Sequence, residues 1–215
     1  EDLNFGYGIL KFEHLPTEPY LPPSPKDGKR PLGKSYFSEL LICGITSALE
    51  LNVFAYKNEK NGALVHEIVP VSNLESSISS NGRDDFKFHT DGAYLGRELR
   101  PSTLSLMCLV NEGDVSTEIV SLKRCIEDLS QNDIDELSKS SFIHHAPETF
   151  NVKDGVCRSS ILDRVNGYYE LKGAIHSTKA LTEGALKALN NLIKVMDKNK
   201  ISNVWQPGDL VIFNN

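Results

Sequence analysis

The 215-residue sequence has one tryptophan, two methionines and four cysteines, and these scarcities narrow what it can be. Cys43, Cys108, Cys125 and Cys157 stand far apart with no C-x-x-C pair, so their spacing fits neither a zinc ribbon nor a dithiol redox motif. Cys43 and Cys108 lie inside apolar runs and read as small buried hydrophobes in a reducing compartment. No apolar run approaches the roughly 18 to 20 residues that cross a bilayer. The opening Glu1-Asp2-Leu3-Asn4 lacks the basic-then-apolar pattern of a secretory leader. A basic surplus is missing as well: 23 Lys+Arg against 29 Asp+Glu leave a net charge of −6, which argues against nucleic acid as the main partner. The expectation is a cytoplasmic protein with neither a membrane nor a nucleic-acid partner.

What is present is the ordinary mix of a globular chain, 40% hydrophobic and 24% charged. A chain of this length buries about two thirds to three quarters of its unfolded surface and needs no disulfide or metal to fold. Phe5 to Phe12 alternates as a strand, and the prolines between Pro16 and Pro31 make the next stretch a wrapping loop. From Lys34 to Glu50, the positions Phe37, Leu40, Leu41, Gly44, Ile45, Ala48 and Leu49 recur at helical spacing, predicting a helix with that face toward a core. Beyond it the texture turns to short β-like runs: 53–56, 64–69, 86–89, 103–110, 117–120, 142–145, 159–162, 168–171 and 210–213. Many short strands separated by Gly, Asn, Asp and Pro suggest a sandwich or jelly roll. Leu122 to Lys139 reads as two short helices, the second capped by Ser130 or Asn132. Thr182 to Lys198 reads as an amphipathic helix with Leu186, Leu189, Leu192, Ile193 and Met196 on one face and Thr182 as N-cap. The polar 57–62 stretch is a hairpin or loop.

The stretch that could carry chemistry is Phe86-Lys87-Phe88-His89-Thr90-Asp91-Gly92-Ala93-Tyr94. On a strand of period two, His89 and Asp91 share a face. An imidazole and a carboxylate side by side can hold two cis positions on a divalent ion, and a second histidine would complete a 2-His-1-carboxylate triad with open positions for a co-substrate and dioxygen. The pair alone says little, because about 0.8 H-x-[DE] matches arise by chance in this composition. The other histidines read more economically as structural. His144 and His145 are adjacent, so on a strand they face opposite ways, and His66 fits a half-buried strand; His14 and His176 match no ligand spacing.

Order supplies the specificity. Gly62 to Val71, the serines Ser76, Ser77, Ser79 and Ser80, His89 to Tyr94, Pro101 to Asn111, Val115 to Leu122 and Trp205 to Asn215 follow one another in a series that resembles the clavaminate synthase-like Fe(II)/2-oxoglutarate dioxygenases, over most of the chain. The resemblance implies a mainly β fold with flanking helices (α+β) around a double-stranded β-helix, or jelly-roll, core. It implies a single domain over 1–215, with the N-terminal strand, Pro-rich loop and helix of about 1–50 packed on that core. The implied cofactors are Fe(II), 2-oxoglutarate and O₂. The implied reaction couples oxidative decarboxylation of 2-oxoglutarate to hydroxylation of an unactivated C–H bond. By the same resemblance His89 and Asp91 are metal ligands and Thr117 meets a carboxylate of 2-oxoglutarate. Glu59, three positions after Tyr56, and Ser79, ten before His89, fall where substrate contacts would lie. The carboxylate at Asp91 points to hydroxylation rather than halogenation. The expected substrate is a free or carrier-bound amino acid attacked at C3 or C4, and a loop acid such as Glu59 favours a basic one, lysine or arginine. The family's third ligand, a distal histidine, and the arginine that pairs with 2-oxoglutarate lie beyond the segment matched by Gly208 to Asn215; neither is in this sequence. The expectation is therefore a longer polypeptide with the C-terminal part of the family's domain missing here. The alternatives are a non-catalytic jelly-roll binding protein without a complete iron site, and a zinc hydrolase that recruits His144 or His145.

Overall fold

In the computed structural model, residues 8–74, 76, 80–83, 86–146 and 155–215 are described. The sheet that organises the chain's two ends is built on β10 (Leu210–Asn214), an apolar run whose Leu210, Val211 and Ile212 are almost wholly buried. Such a run has no polar face to give to water and suits a central strand. It lies between β1 (Ile9–Phe12) and β2 (Thr103–Met107), antiparallel to both, with Ile9 opposite Phe213 and Met107 opposite Leu210. The chain enters β10 through Gly208 at φ +91°, where the Gly208 N–H donates to the Cys108 carbonyl and the Gly208 carbonyl accepts from the Leu15 N–H, both at 2.9 Å. A Cβ at this position would meet the Leu15 carbonyl oxygen at 2.4 Å, so only glycine lets the strands approach.

Three further sheets follow, one of three strands and two of two. β3 (Ser116–Ile119) pairs with β9 (Ile201–Val204), with Thr117 opposite Asn203. β4 (Phe142–His145) is flanked by β5 (Val156–Ser159) and β8 (Thr178–Ala180), and β6 (Leu162–Val165) forms a hairpin with β7 (Tyr168–Leu171). The described residues therefore place strands at 156–159 and 162–165 rather than across 159–162, and add β8 and β9.

Helices supply the main core. α2 (Leu122–Asp128) and α3 (Gln131–Leu137) pack on α4 (Glu183–Asn199). Ala185, Ala188, Leu189, Leu192 and Met196 form the buried stripe of α4 and meet Cys125, Leu137, Phe142, Ile161 and Leu162. Leu186, assigned to that stripe from spacing, is 52% exposed instead. The caps are those the sequence suggests: Ser130 Oγ accepts from the Asp133 N–H and Thr182 Oγ1 from the Ala185 N–H, each at 3.1 Å.

α1 (Phe37–Ala48) forms where expected but turns the other way. Its buried residues are Ser38 and Thr46, while Leu40 is 71% exposed. The cause is polar pairing: Ser38 donates from both N–H and hydroxyl to Glu18, and the Thr46 hydroxyl bonds to Ser105 of β2 at 3.0 Å. Unpaired, these buried groups would cost more than the helix gains by turning its leucine inward. Residues 53–56, 64–69 and 86–89 are irregular rather than strands. Among the described residues no helix is long and apolar enough to cross a membrane.

Candidate metal and substrate site

His89 reaches its place without a strand. The 88–90 segment docks antiparallel on 173–175, with His89 bridging Ala174, the Thr90 N–H donating to the Gly173 carbonyl at 2.7 Å and the Ile175 N–H to the Phe88 carbonyl at 3.1 Å. The Thr90 hydroxyl closes the joint by accepting from the Gly173 N–H at 3.1 Å. Phe86 stacks on the imidazole with ring centres 4.0 Å apart, and His176 adds an edge at 6.4 Å.

His89 Nδ1 lies 2.8 Å from the Lys87 carbonyl oxygen, which can only accept, so that nitrogen carries the hydrogen and Nε2 is left with its lone pair. Nε2 faces the Asp91 carboxylate at 3.4 Å. Burial works against a charged His89, but the Asp91 carboxylate and the Lys87 carbonyl together outweigh it and hold its pKa above the ordinary value. Two donors so placed fit adjacent positions on a divalent cation, with the other imidazole nitrogen tied as in histidine metal ligands. Among the described residues no three His, Cys, Asp or Glu side chains converge for a metal, so the chain supplies a pair of donors rather than a closed site.

Asp91 is held from the far end of the sequence. The Asn215 side chain clasps its peptide: Oδ1 accepts from the Asp91 N–H at 2.6 Å, while Nδ2 donates to the carbonyls of Asp91 at 3.0 Å and Pro101 at 2.8 Å. The following turn is fixed at its surface by Arg97, which makes a two-pronged bond to Glu170 of β7 at 2.8 and 2.6 Å.

Glu59 belongs to the same neighbourhood. Burial pushes its carboxyl above the usual carboxylate range, His66 and Lys60 pull it back and Asp91 pushes it further. Tyr56, which donates to the Leu99 carbonyl, is pushed up to about 12 by burial, Tyr94, Glu59 and Asp91. His89, Asp91, Glu59, Tyr56 and Tyr94 are therefore near enough to act on one another electrostatically as one polar, acidic group. His66 faces Glu59 at 3.7 Å, a role that sequence spacing did not suggest. Its neighbour Glu67 is anchored by the buried ammonium of Lys34 at 2.8 Å, which fixes the backbone beside it.

Thr117 sits on β3, opposite Asn203 of β9, and among the described residues no hydrogen bond or ion pair links it to His89 or Asp91. Ser79 lies outside the described residues. His144 is fully buried with both nitrogens engaged, by the Thr178 hydroxyl at 3.1 Å and the Ser160 carbonyl at 3.2 Å, which leaves it no lone pair for a metal. The zinc reading through His144 fails on that ground, and His145 points outward.

No family model matches the chain. Solved structures place its fold among non-haem iron oxygenases. It superposes on an asparagine oxygenase in complex with Fe(II), 2S,3S-3-hydroxyasparagine and succinate with a TM-score of 0.83, at 26% identity over 97% of this chain and 66% of that one. The non-haem iron oxygenase OrfP, solved with Fe and alpha-ketoglutaric acid, gives a TM-score of 0.80 at 24% identity, a likeness of fold. In sequence the chain is similar to an L-asparagine oxygenase of Streptomyces coelicolor, 27% identical over 218 aligned residues covering 97% of this chain and 63% of the relative's length. The chain thus spans a little under two thirds of that relative. The resemblance to the clavaminate synthase-like Fe(II)/2-oxoglutarate dioxygenases read from the motif order is borne out.

Proposed function

We propose that the chain carries the fold and chemistry of an Fe(II)/2-oxoglutarate-dependent oxygenase with a double-stranded β-helix core over 1–215, hydroxylating C3 or C4 of an amino acid. The observation that carries this reading is the His89–Asp91 pair, its imidazole tied at the far nitrogen and its peptide clasped by Asn215, on a scaffold that superposes on an asparagine oxygenase. His89 and Asp91 would hold the iron. Iron(II) bound there supplies O₂-dependent oxidation of an unactivated C–H bond at the expense of 2-oxoglutarate. Thr117 orients a carboxylate of 2-oxoglutarate.

Glu59 receives the substrate's amino group. An acid beside Asp91 favours a cationic partner and disfavours an anionic one, which supports a basic amino acid such as arginine or lysine; asparagine, the substrate named for the Streptomyces relative, is the competing choice.

Anaerobic addition of Fe(II) and 2-oxoglutarate should give a weak visible charge-transfer band, and admission of air with an amino-acid panel should give succinate. Asp91→Ala removes the only carboxylate ligand and should abolish both; succinate formed by that variant at the wild-type rate would contradict the assignment. The two-donor count favours one second reading, a non-catalytic amino-acid binder. Binding of an amino acid without band or succinate would decide for it.

A further inference from the structure

The chain just after Glu59 turns on residues that do not favour the turn. The Gly62 N–H donates to the Glu59 carbonyl at 2.8 Å and the Ala63 N–H to the Lys60 carbonyl at 3.3 Å, so two overlapping turns run through Lys60, Asn61 and Gly62. All three residues have positive φ, at +45°, +57° and +77°. Glycine takes up that region freely and asparagine tolerates it, but at Lys60 the Cβ crowds the neighbouring carbonyl oxygen. Asn-Gly is the favoured central pair of such a turn, and Asn61-Gly62 would fill those places if the turn moved on by one residue. The shorter bond belongs to the other register, which closes on Glu59 and puts Lys60 in the first central position.

A residue persists in a disfavoured conformation where its surroundings fix it. For Lys60 the hold is at the end of the side chain, whose ammonium donates to Asn81 Oδ1 at 2.5 Å. Asn81 is 3% exposed and is itself fixed: its Nδ2 donates to the Val69 carbonyl at 3.0 Å and its own carbonyl accepts from the Val71 N–H at 2.9 Å. A charged donor on a buried, immobile acceptor makes a strong anchor. Glu59, one residue before Lys60, lies near enough to Asp91 for the two carboxyl groups to act on each other.

We propose that Lys60 is a positioning residue for substrate binding: anchored on Asn81, it holds the left-handed turn in the register that aims Glu59 toward the metal pair. The proposal rests on Glu59 being the receptor for the substrate's amine. A slip to the Asn-Gly register would rotate the backbone on both sides of Lys60 and carry the Glu59 carboxylate away from that bearing. Lys60 also acts on Glu59 as a plain positive charge, and this effect has the opposite sign. As a neighbouring charge alone it competes with an incoming ammonium, so its removal would tighten binding. As the anchor of the turn, its removal loosens binding.

The test is a series at position 60, which is exposed. The full chain, loaded anaerobically with Fe(II) and 2-oxoglutarate, is titrated by calorimetry with L-arginine, L-lysine and L-asparagine. Lys60→Met keeps the stem but loses the donor and should raise the Kd about tenfold, as for loss of a hydrogen bond to a charged group. Lys60→Gly also loses the donor but relieves the backbone, so it should bind more tightly than the methionine variant. Asn81→Ala keeps the charge of Lys60 but removes its acceptor, and should repeat the methionine result. Fe(II) affinity of the position-60 variants, measured without amino acid, should stay at the wild-type value, because His89 and Asp91 are held by 173–175 and Asn215 instead. A methionine variant that binds amino acids as well as the wild type or better, or a glycine variant no better than methionine, overturns the proposal and leaves the hydroxylase reading intact. Fe(II) affinity that falls in step with amino-acid binding also overturns it, since Lys60 would then support the fold at large. If no amino acid binds the wild type, the hydroxylase reading itself falls and the role of Lys60 falls with it.

Discussion

Replacing Asn215 is the most direct challenge to the way the site is held. Its side chain makes three hydrogen bonds around the Asp91 peptide, at 2.6, 3.0 and 2.8 Å. Its backbone N–H donates separately to the Ser102 carbonyl at 3.0 Å, so a side-chain substitution leaves the end of β10 anchored. Asn215→Ala removes all three side-chain bonds. Asp91 is exposed and Asn215 only half-buried, so water replaces part of what is lost, and about 0.5 kcal/mol per bond gives a total of about 1–2 kcal/mol. Asn215→Asp is nearly isosteric yet should be worse. It keeps the acceptor for the Asp91 N–H but turns a negative oxygen toward two carbonyl oxygens that previously received hydrogens, for a cost of about 2–4 kcal/mol. Urea unfolding at neutral pH should rank wild type above alanine above aspartate at constant m-value, with melting shifts of about 2–4 °C per kcal/mol for a chain of this size. Fe(II) affinity should fall by about tenfold in the alanine variant, as for loss of an outer-shell partner. An aspartate variant as stable as the wild type, or more stable than alanine, would refute the clasp.

Two further substitutions probe the frame around the site. Gly208→Ala forces a Cβ onto the Leu15 carbonyl oxygen at 2.4 Å and holds alanine at φ +91°, and should cost about 3 kcal/mol or more in urea; a loss under about 0.5 kcal/mol would contradict the close approach. The imidazole of His144 is driven down to about 4 by burial, with Lys172 and Arg100 adding to the effect. Its pKa is lower folded than unfolded, so the unfolded chain binds the extra proton first. This contribution to stability is full above about pH 6.5 and is lost as the pH falls toward about 4. The urea midpoint should fall across that window, less steeply in His144→Gln; equal slopes would count against the assignment.

What the sequence made legible was local chemistry. The caps at Ser130 and Thr182, the α4 stripe and the wholly apolar β10 follow from side-chain spacing alone, because burial decides them. β8 and β9 escaped notice because Thr-Lys-Ala and Ile-Ser-Asn-Val owe their strand form to partners in β4 and β3, not to their own composition. The stretches 53–56, 64–69 and 86–89 have strand-like composition but no ladder among the described residues. α1 inverted because Glu18 and Ser105 reward its hydroxyls, a long-range pairing that no hydrophobic pattern reveals. The site divides similarly. His89 and Asp91 were visible as an i, i+2 pair, though the cause of their meeting is docking on 173–175 rather than a strand's pleat. Glu59 came only from the family resemblance. His66 depends on the anchoring of Glu67, and Asn215 acts across 124 positions, so neither leaves a local signal.

The central place of β10 also fixes when the site can come into being. β1 and β2 are each other's neighbours only through a strand made of residues 210–214, and the clasp on Asp91 arrives with that strand. During synthesis the helical core of α2, α3 and α4 can settle first from nearby pieces. The edges of β1 and β2 must wait unpaired for about 200 and 100 further residues, a loop closure that favours slow, late assembly. At about 5–20 residues per second, β1 is exposed for roughly ten to forty seconds before its partner exists. For that interval the nascent chain carries open strand edges, and the group formed by Glu59, His89 and Asp91 lacks the clasp that fixes Asp91.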